Sequence, residues 1–255
     1  MAPESTSRRR RDTPSPQVLR ALLALRELIL TGELTSGRRL SEPQLVTRVG
    51  VSRTPLRLAM EILQHEGLVE RRARGGFSVR GFTLADIEEA VTLRGVLEGT
   101  VARLVAEGSG DGSDLSRLEA ALAEMDAALG RELTVEATTR YATANEQFHA
   151  ALLDLAQSPL VKRLMKQVVS IPFASPNAFF LAHTSSPEGR QTLVTAQEHH
   201  RTIIEAIKRR QGARVEAIAR EHARLVLPFL YSALRDRDAF RKVPGGILVA
   251  FPSLT

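Results

Sequence analysis

The sequence contains no cysteine and no tryptophan, and only 4% of its 255 residues are aromatic. The absence of cysteine excludes a disulfide framework and a thiolate metal site. So few aromatic rings leave little material for stacking unpaired bases, which argues against single-stranded nucleic acid as a partner. The chain also has no run of about 18 apolar residues, and its basic N-terminus lacks the apolar stretch of a signal peptide. We therefore expect a soluble cytoplasmic protein.

The positive charge is concentrated in the first third of the chain. Residues 1–82 contain 15 Lys/Arg and 8 Asp/Glu, a net charge of +7, whereas residues 83–255 contain 20 and 21, a net charge of −1. A basic segment joined to a nearly neutral one is typical of a polyanion-binding module attached to a module with another task. The length of the chain is sufficient for two small domains with separate cores.

The first third predicts three helices that follow a basic, disordered tail over residues 1–14. Apolar spacing predicts the first helix from about residue 16, and Ser41 with Gln44 forms a capping-box pattern for the second. Gly50 ends that helix, and Ser52 can cap a third helix that extends to about His65. Two short helices joined by a tight glycine-containing turn are typical of a helix-turn-helix, whose second helix enters the DNA major groove.

The third helix begins with polar side chains that do not fit a core: Ser52, Arg53, Thr54 and Arg57. An apolar stripe on the opposite face predicts that these four side chains point outward together. A helix N-terminus offers free N–H groups to a phosphate, and an arginine can bind guanine O6 and N7 through two donors. The alternative interpretation is an ordinary helix cap followed by two solvated arginines.

The segment "GLVERRARGGFSVRGF" predicts a hairpin with an arginine-rich tip. Strands at Leu68–Glu70 and Phe77–Val79 would flank a turn that contains Arg72, Arg74 and Gly75. Such a wing would lie along the DNA backbone or the minor groove beside the recognition helix. The alternative is a basic surface hairpin that has no ligand.

Residues 17–82 closely resemble the winged-helix DNA-binding domain of GntR-family transcription regulators. The stretches that carry this resemblance are "ILTGELTSGRRLSEPQL", "GVSRTPLR" and "EGLVERRARGGFSV". The resemblance implies DNA contacts by Ser52, Arg53, Thr54 and Arg57, and by Arg72, Arg74 and Gly75 in the wing. The second helix departs from the family, because it has Pro43 where related regulators can present an arginine to DNA.

From Leu84 onward the apolar spacing predicts a series of helices and no strand before the C-terminal tail. The expected fold is therefore mainly α: a winged helix-turn-helix domain over residues 15–82 and an all-helical bundle over residues 83–235. In the tail, residues 236–255, the run Ile247–Phe251 could be a strand, a dimer contact or an unstructured end.

Three of the six histidines lie on apolar stripes of these helices: His149, His200 and His222. Asn145 precedes His149 by four residues and shares its helix face, whereas His199 is turned roughly 100° from the stripe of His200. Buried imidazoles are costly unless they are paired, and a divalent cation would meet that demand. Taken singly, each histidine is more often an ordinary core residue.

Residues 84–234 resemble the helical FCD effector domain of one GntR branch, through "LRGVLEG", "NEQFHAALLDLA", "EHHRTIIEAI" and "AREHARL". In that family an acidic or amide side chain and three histidines hold a divalent metal. The resemblance implies Asn145, His149, His200 and His222 as the ligands of a zinc, nickel or manganese type of ion. Aspartate is common at the position of Asn145, and its replacement by a neutral amide predicts weaker metal binding.

A metal with free coordination positions is suited to a small carboxylate effector, with Arg94 as its candidate partner. The alternative for Arg94 is a surface salt bridge with Glu98, four residues later on the same helix. Three histidines at an open site also describe catalytic zinc. We expect no enzyme, because Glu146 projects off the face of Asn145 and His149 and no other general base is evident.

These patterns together predict a ligand-responsive transcription regulator, a repressor by family resemblance, that binds a palindromic operator as a homodimer. Effector binding would change the spacing of the two recognition helices through the linker Arg80–Thr83. The alternative is a constitutive DNA-binding protein in which the histidines are structural.

Overall fold

A computed structural model describes residues 15–108, 114–130, 134–171, 173–177, 187–233, 240 and 245–250. The chain is mainly helical, as predicted. The first part contains α1 (Pro16–Leu30), α2 (Glu42–Val49), α3 (Arg53–His65), β1 (Val69–Arg71) and β2 (Phe77–Val79). The second part contains β3 (Phe82–Thr83), α4 (Leu84–Ala106), α5 (Ser116–Ala128), α6 (Val135–Leu155), α7 (Pro159–Val169), α8 (Pro187–Lys208), α9 (Gly212–Arg224), α10 (Leu227–Ala233), a 3₁₀ turn (Gly246–Leu248) and β4 (Val249–Ala250). The predicted basic tail, residues 1–14, lies outside the described residues.

The winged-helix part has its own apolar core between the three helices and the hairpin. Its buried side chains include Leu25, Ile29, Leu45, Leu56, Met60, Leu63, Phe77 and Val79. The two strands are antiparallel, with Val69 opposite Val79. The first strand was predicted one residue too early, because the backbone N–H of Leu68 donates to the carbonyl of Leu63 at 2.9 Å and so still belongs to the end of α3.

The turn between α2 and α3 depends on Gly50, whose φ of 69° is a left-handed conformation that glycine adopts without a Cβ penalty. The expected capping box is wrong, since neither Ser41 nor Ser52 forms a side-chain capping bond with any described residue. Two prolines explain this result. Pro43 and Pro55 occupy the positions two and three residues after these serines, where a capping hydroxyl would need an N–H donor.

The helical bundle has a second core built around α4, to which α5, α6, α8 and α9 contribute. Its buried side chains include Val101, Leu118, Met125, Tyr141, Phe148, Leu152, Ile203 and Val215. Helices α4 and α9 approach closely at Gly99, where a Cβ would lie 2.9 Å from the carbonyl oxygen of Glu216. This close approach places the polar face of α4 beside His222 on α9.

The C-terminal tail forms a short strand within the chain, one of the three alternatives that its sequence allowed. Strand β4 pairs in parallel with β3, with Phe82 opposite Val249. Leu248 is fully buried in the winged-helix core, and Val249 is buried with Ile87 and Val91 of α4. The described part of the tail therefore contacts both domains. Within the described residues, no helix is long and apolar enough to cross a membrane.

Candidate functional site

The start of α3 presents its polar side chains to solvent. Ser52, Arg53, Thr54 and Arg57 are exposed, whereas the next apolar positions of the helix are buried in the core. The predicted orientation of the helix is therefore confirmed. Because Ser52 is not used as a cap within the described chain, its hydroxyl is available to an external acceptor. The contact of these residues with DNA stays a prediction.

The two arginines of α3 differ in their surroundings. The Nε of Arg57 donates to Oε2 of Glu42 on α2 at 2.9 Å. This hydrogen bond and the charge of Glu42 raise the pKa of the exposed Arg57 guanidinium. Arg53 forms no ion pair with any described residue. Glu42 therefore orients one guanidinium at the surface and leaves the other free to bind.

A groove of about 510 Å³ lies between α3, the start of α2 and the hairpin. Its polar wall is formed by Arg39, Ser41, Glu42, Arg53 and Arg57. Arg39 was not predicted as a site residue; it is exposed and lies opposite Ser78 in an isolated β-bridge. Its signal was weak, because it precedes α2 and belongs to no helical pattern. Three guanidinium groups along one groove suit a phosphate backbone.

The wing has the predicted glycine-containing tip. Gly75 and Gly76 both have a φ of 82°, and the N–H of Gly75 donates to the carbonyl of Arg72 at 3.0 Å. The side chain of Arg72 donates to the carbonyl of Gly37 at 3.2 Å, so it is directed partly at its own domain. Arg74 is exposed at the tip. All three predicted wing residues, Arg72, Arg74 and Gly75, are exposed.

Three histidines from different helices converge inside the bundle: His149 on α6, His200 on α8 and His222 on α9. Their ligand nitrogens all lie within 4.8 Å of one another, and Nε2 of His149 lies 3.4 Å from Nε2 of His222. A tetrahedral ion with Zn–N bonds of about 2.0–2.1 Å holds two nitrogens roughly 3.4 Å apart. We call this cluster the histidine triad. Among the described residues it is His200, the preferred candidate, that joins the triad, whereas the ring of His199 lies 6.0 Å from that of His222. The role of His200 as a ligand stays a prediction.

Asn145 lies one turn before His149 on the buried face of α6. Its Nδ2 donates to Oδ1 of Asn177 at 2.9 Å, and Nδ2 of Asn177 donates to the carbonyl of Ala142 at 2.8 Å. Its Oδ1 is buried and accepts no hydrogen bond from any described residue. A buried oxygen without a partner is costly, so this atom fits a metal ligand.

A second set of side chains orients the histidine rings. Oε1 of Glu98 lies 3.1 Å from Nδ1 of His149, and Oε1 of Gln197 lies 3.2 Å from Nδ1 of His200. Gln197 is held in turn by Asp126, whose Oδ1 accepts from its Nε2 at 2.7 Å. These partners lie on the Nδ1 side of His149 and His200, at ion-pair distance for His149 and at hydrogen-bond distance for His200. Such outer partners are typical of metal-binding histidines.

Burial favours the neutral form of two of the three imidazoles of the triad. Burial lowers the pKa of His200 and of His222 well below the usual range, and neighbouring imidazoles add to this effect. Burial would raise the pKa of Glu98, but its interactions with the neighbouring His149 and Arg94 side chains outweigh this effect and lower the pKa to about 2. A metal ligand must offer a free lone pair, which a neutral imidazole has. His200 is fully buried, and its Nε2 has no hydrogen-bond partner within the described chain.

Arg94 is only 2% exposed, so the surface salt bridge that its sequence position allowed is wrong. Its Nη2 donates to the carbonyl of Ala223 at 3.0 Å, and its Nε and Nη1 have no hydrogen-bond partner among the described residues. The close packing of α4 against α9 buries this side chain beside Glu98. Burial lowers the pKa of Arg94, and the charge of Glu98 opposes that effect.

A cavity of about 280 Å³ lies beside the triad. Its wall includes Glu98, Val101, Glu146, His149, Leu152, Leu153, Met165, Val169 and Asn177. Arg94 is not part of this wall. Glu146 is exposed whereas Asn145 is buried, as expected for a side chain off the face of Asn145 and His149, but Glu146 still borders the cavity.

The two parts of the chain match two family models. The model described as "Bacterial regulatory proteins, gntR family" matches residues 18–79. The model described as "FCD domain" matches residues 89–225, which contain all three histidines of the triad. The matched ranges correspond to the winged helix and to the helical bundle.

Relatives and a solved structure agree with this result. An uncharacterized HTH-type transcriptional regulator, YdhC of Bacillus subtilis (strain 168), is 30% identical over 78% of this chain and 84% of its own length. A probable D-xylose utilization operon transcriptional repressor of Paenarthrobacter nicotinovorans is 26% identical over 88% of this chain and 92% of its own length. The solved structure of E. coli McbR/YncC has a similar fold, with a TM-score of 0.60 over 86% of this chain and 98% of that one at 19% identity.

The winged helix, the helical bundle and these comparisons lead to one assignment. The chain belongs to the GntR family of bacterial regulatory proteins, in the branch that carries an FCD domain, and it is a DNA-binding transcription regulator rather than an enzyme.

Proposed function

We propose that this regulator is a repressor that binds a palindromic operator as a homodimer, and that its FCD domain holds a divalent metal and a small carboxylate effector. The observation that carries the proposal is the histidine triad, with two Nε2 atoms 3.4 Å apart in a buried site. A cytoplasmic location belongs to the same proposal, because operator DNA is the partner.

The DNA contacts of this proposal come from two places on the winged helix. Ser52, Arg53, Thr54 and Arg57 would contact bases and phosphates from the start of α3. The wing would contribute Arg72, Arg74 and Gly75. The relative from Paenarthrobacter nicotinovorans is named a probable repressor, which supports the same direction of regulation here.

The metal ligands would be Asn145, His149, His200 and His222. Zinc, nickel and manganese ions all accept imidazole nitrogen and amide oxygen. The bound ion would supply open coordination positions for an anionic oxygen. The amide of Asn145 is neutral and brings no negative charge to the site. The carboxylate of Glu98 brings one, because it lies 3.1 Å from Nδ1 of the ligand His149.

The effector would lie in the cavity beside the triad, with its carboxylate toward the histidines. The apolar side chains of Val101, Leu152 and Met165 would contact the rest of the molecule. Arg94 remains the candidate cation for the carboxylate, since two of its nitrogens lack partners within the described chain. Because Arg94 lies outside the cavity wall, the carboxylate would have to reach it past Glu98. Such an effector acts on DNA affinity only if it binds one arrangement of the protein better than the other.

A second candidate function is constitutive DNA binding with structural histidines. Nε2 of His149 and Nε2 of His222 are 3.4 Å apart, which also suits an N–H···N hydrogen bond between two imidazoles. This separation is the observation that favours structural histidines. This alternative predicts no metal in the purified protein. It also predicts that no small acid changes operator affinity.

Elemental analysis of the purified protein and of matched histidine variants distinguishes the two candidates. We expect about one divalent ion per chain in the wild type and in His199→Ala, and almost none in His200→Ala. His199 is the control because it is the adjacent residue on α8 and lies outside the triad. Equal metal content in both variants, or none in the wild type, would contradict the metal site.

A further inference from the structure

One stretch of the chain contacts both the cavity and the DNA-binding domain. It consists of the second half of α7 and the residues after it, 165–171 and 173–177, and we call it the coupling segment. Met165 and Val169 line the cavity beside the triad. Between and beyond them, Gln167 and Ser170 point to the end of α3.

The contacts with the DNA-binding domain are at the C-terminal end of the recognition helix. Oγ of Ser170 donates to the carbonyl of Glu66, the residue that caps α3, at 2.7 Å. Nε2 of Gln167 lies 3.5 Å from Nε2 of His65. Ile171 packs against the winged-helix core. Ser170, Gln167 and Ile171 therefore join the two domains through a hydrogen bond, a polar contact and an apolar contact. We call these contacts the junction.

The contacts with the effector domain are at the proposed ligand site. Ser175, Pro176 and Asn177 line the same cavity, and Oδ1 of Asn177 accepts from Nδ2 of Asn145 at 2.9 Å. Phe173, between the two sets, has a φ of 68°, a strained conformation for an aromatic residue that packing must hold in place. Its ring stacks on Phe240 at 5.1 Å. Packing and hydrogen bonds therefore hold both ends of the segment.

Helix geometry couples the two faces of α7. Residues 165 and 169 face the cavity, residue 167 lies between them on the same short helix, and residue 170 caps its C-terminal end. A ligand that moves the backbone of α7 at Met165 or Val169 would also move Gln167 and Ser170. At the other side, α3 is a helix of 13 residues, about 20 Å long, that carries Arg53 at its opposite end.

The linker between the domains is a less suitable route. Phe82 is fully buried and Thr83 pairs with β4. The hydroxyl of Thr83 also accepts from the N–H of Asp86 at 3.1 Å in a capping box at the start of α4. These contacts restrain the backbone where a hinge would need to move.

We propose that the coupling segment transmits occupancy of the triad and its cavity to the recognition helix, with Ser170 and Gln167 as the positioning residues. This inference rests on the proposed function. The hydrogen bond from Ser170 to Glu66 fixes where α3 lies relative to the effector domain. A shift of α7 changes that position, and through the dimer it changes the distance between the two recognition helices.

Hydrogen exchange with mass spectrometry on the full chain tests this inference with two probes. The first probe is Zn²⁺ against a chelator, with calorimetry on the same samples. The second is a random-sequence duplex of about 30 base pairs at low salt, which winged helices bind through phosphates. The variant is Ser170→Ala. Ser116→Ala is the matched control, an exposed serine at the start of α5.

In the wild type and in Ser116→Ala, we expect Zn²⁺ to change amide exchange across residues 60–68 by about twofold or more. By reciprocity, the duplex changes exchange across residues 165–171. In Ser170→Ala both changes across the junction are lost, while the local changes at each site and the heat of Zn²⁺ binding persist.

The inference is overturned if Zn²⁺ binds to the wild type and changes amide exchange only in the effector domain. It is likewise overturned if the duplex binds and changes amide exchange only in the DNA-binding domain. It is also overturned if Ser170→Ala retains the changes across the junction. If calorimetry detects no Zn²⁺ binding, the proposed metal site fails separately, and the duplex arm alone decides the coupling.

Discussion

At the scale of single residues, the triad depends on which nitrogen each histidine turns toward the others. Glu98 lies at ion-pair distance from Nδ1 of His149, Gln197 contacts Nδ1 of His200, and Nε2 of His149 lies beside Nε2 of His222. The sequence indicated the histidines because they lie on apolar stripes. It did not indicate Glu98 as a partner, because a contact between α4 and α6 has no local sequence pattern.

We predict that Glu98→Gln weakens metal binding 10- to 100-fold, in about the range found for outer-shell partners of metal-bound histidines. The amide keeps the size of the side chain but removes the charge that holds Nδ1–H of His149. A competition titration with a coloured chelator measures the change. Glu146→Gln is the matched control on the same cavity wall, and an equal loss in both variants would refute a specific contribution of Glu98.

We predict that Arg53→Ala and Arg57→Ala each cost about 1–3 kcal/mol of operator affinity and relax the preference for one base pair. The reason is that both guanidinium groups are exposed at the start of α3. Fluorescence anisotropy with operator and base-substituted duplexes measures both effects. Arg209→Ala, which removes the same charge from the effector domain, should leave affinity unchanged. Unaltered sequence preference in both α3 variants would contradict the proposed base contacts.

At the scale of elements, the C-terminal tail packs against both the winged-helix core and the start of α4. Leu248 is buried in the winged-helix core and Val249 in the cluster on α4. The N–H of Gly245 donates to the carbonyl of Leu30 at the end of α1, at 3.1 Å. The tail thus fixes α1 and β3 together, although its sequence could not distinguish a strand from an unstructured end.

We predict that Leu248→Ala lowers the free energy of unfolding by about 2–5 kcal/mol, because it leaves a cavity in a fully buried position. Ile247→Ala is the neighbouring control, since its side chain is 38% exposed, and it should cost much less. Urea denaturation of both variants measures the difference. Equal costs would mean that the tail is not anchored through Leu248.

The sequence predicted the helices well and the pairing of distant segments poorly. Apolar spacing located α1, α3 and α6 because each buries one face. Ser41 and Ser52 were assigned as caps from their spacing alone, whereas the prolines that follow them remove capping donors. Arg39, Gln197 and the pairing of β3 with β4 depend on contacts between separate elements, which periodicity does not describe.

At the scale of the whole molecule, the proposed repressor needs two recognition helices in fixed register. Palindromic half-sites about one helical turn apart present their major grooves on the same face of the duplex. We predict that inserting about 5 base pairs between the half-sites abolishes high-affinity binding and that about 10 restores part of it. Gel-shift assays on these duplexes test the prediction. Affinity that does not depend on spacing would exclude a dimer of fixed geometry.

The claim on which the regulatory account depends is that the bundle binds a metal through the triad. Crystals of the full chain grown with Zn²⁺ and measured at the zinc absorption edge test it most directly. The account predicts an anomalous peak at bonding distance, about 2.0–2.1 Å, from nitrogens of His149, His200 and His222, with Oδ1 of Asn145 turned toward it. Density that shows the three imidazoles bonded to one another, with zinc only at surface sites, would contradict it.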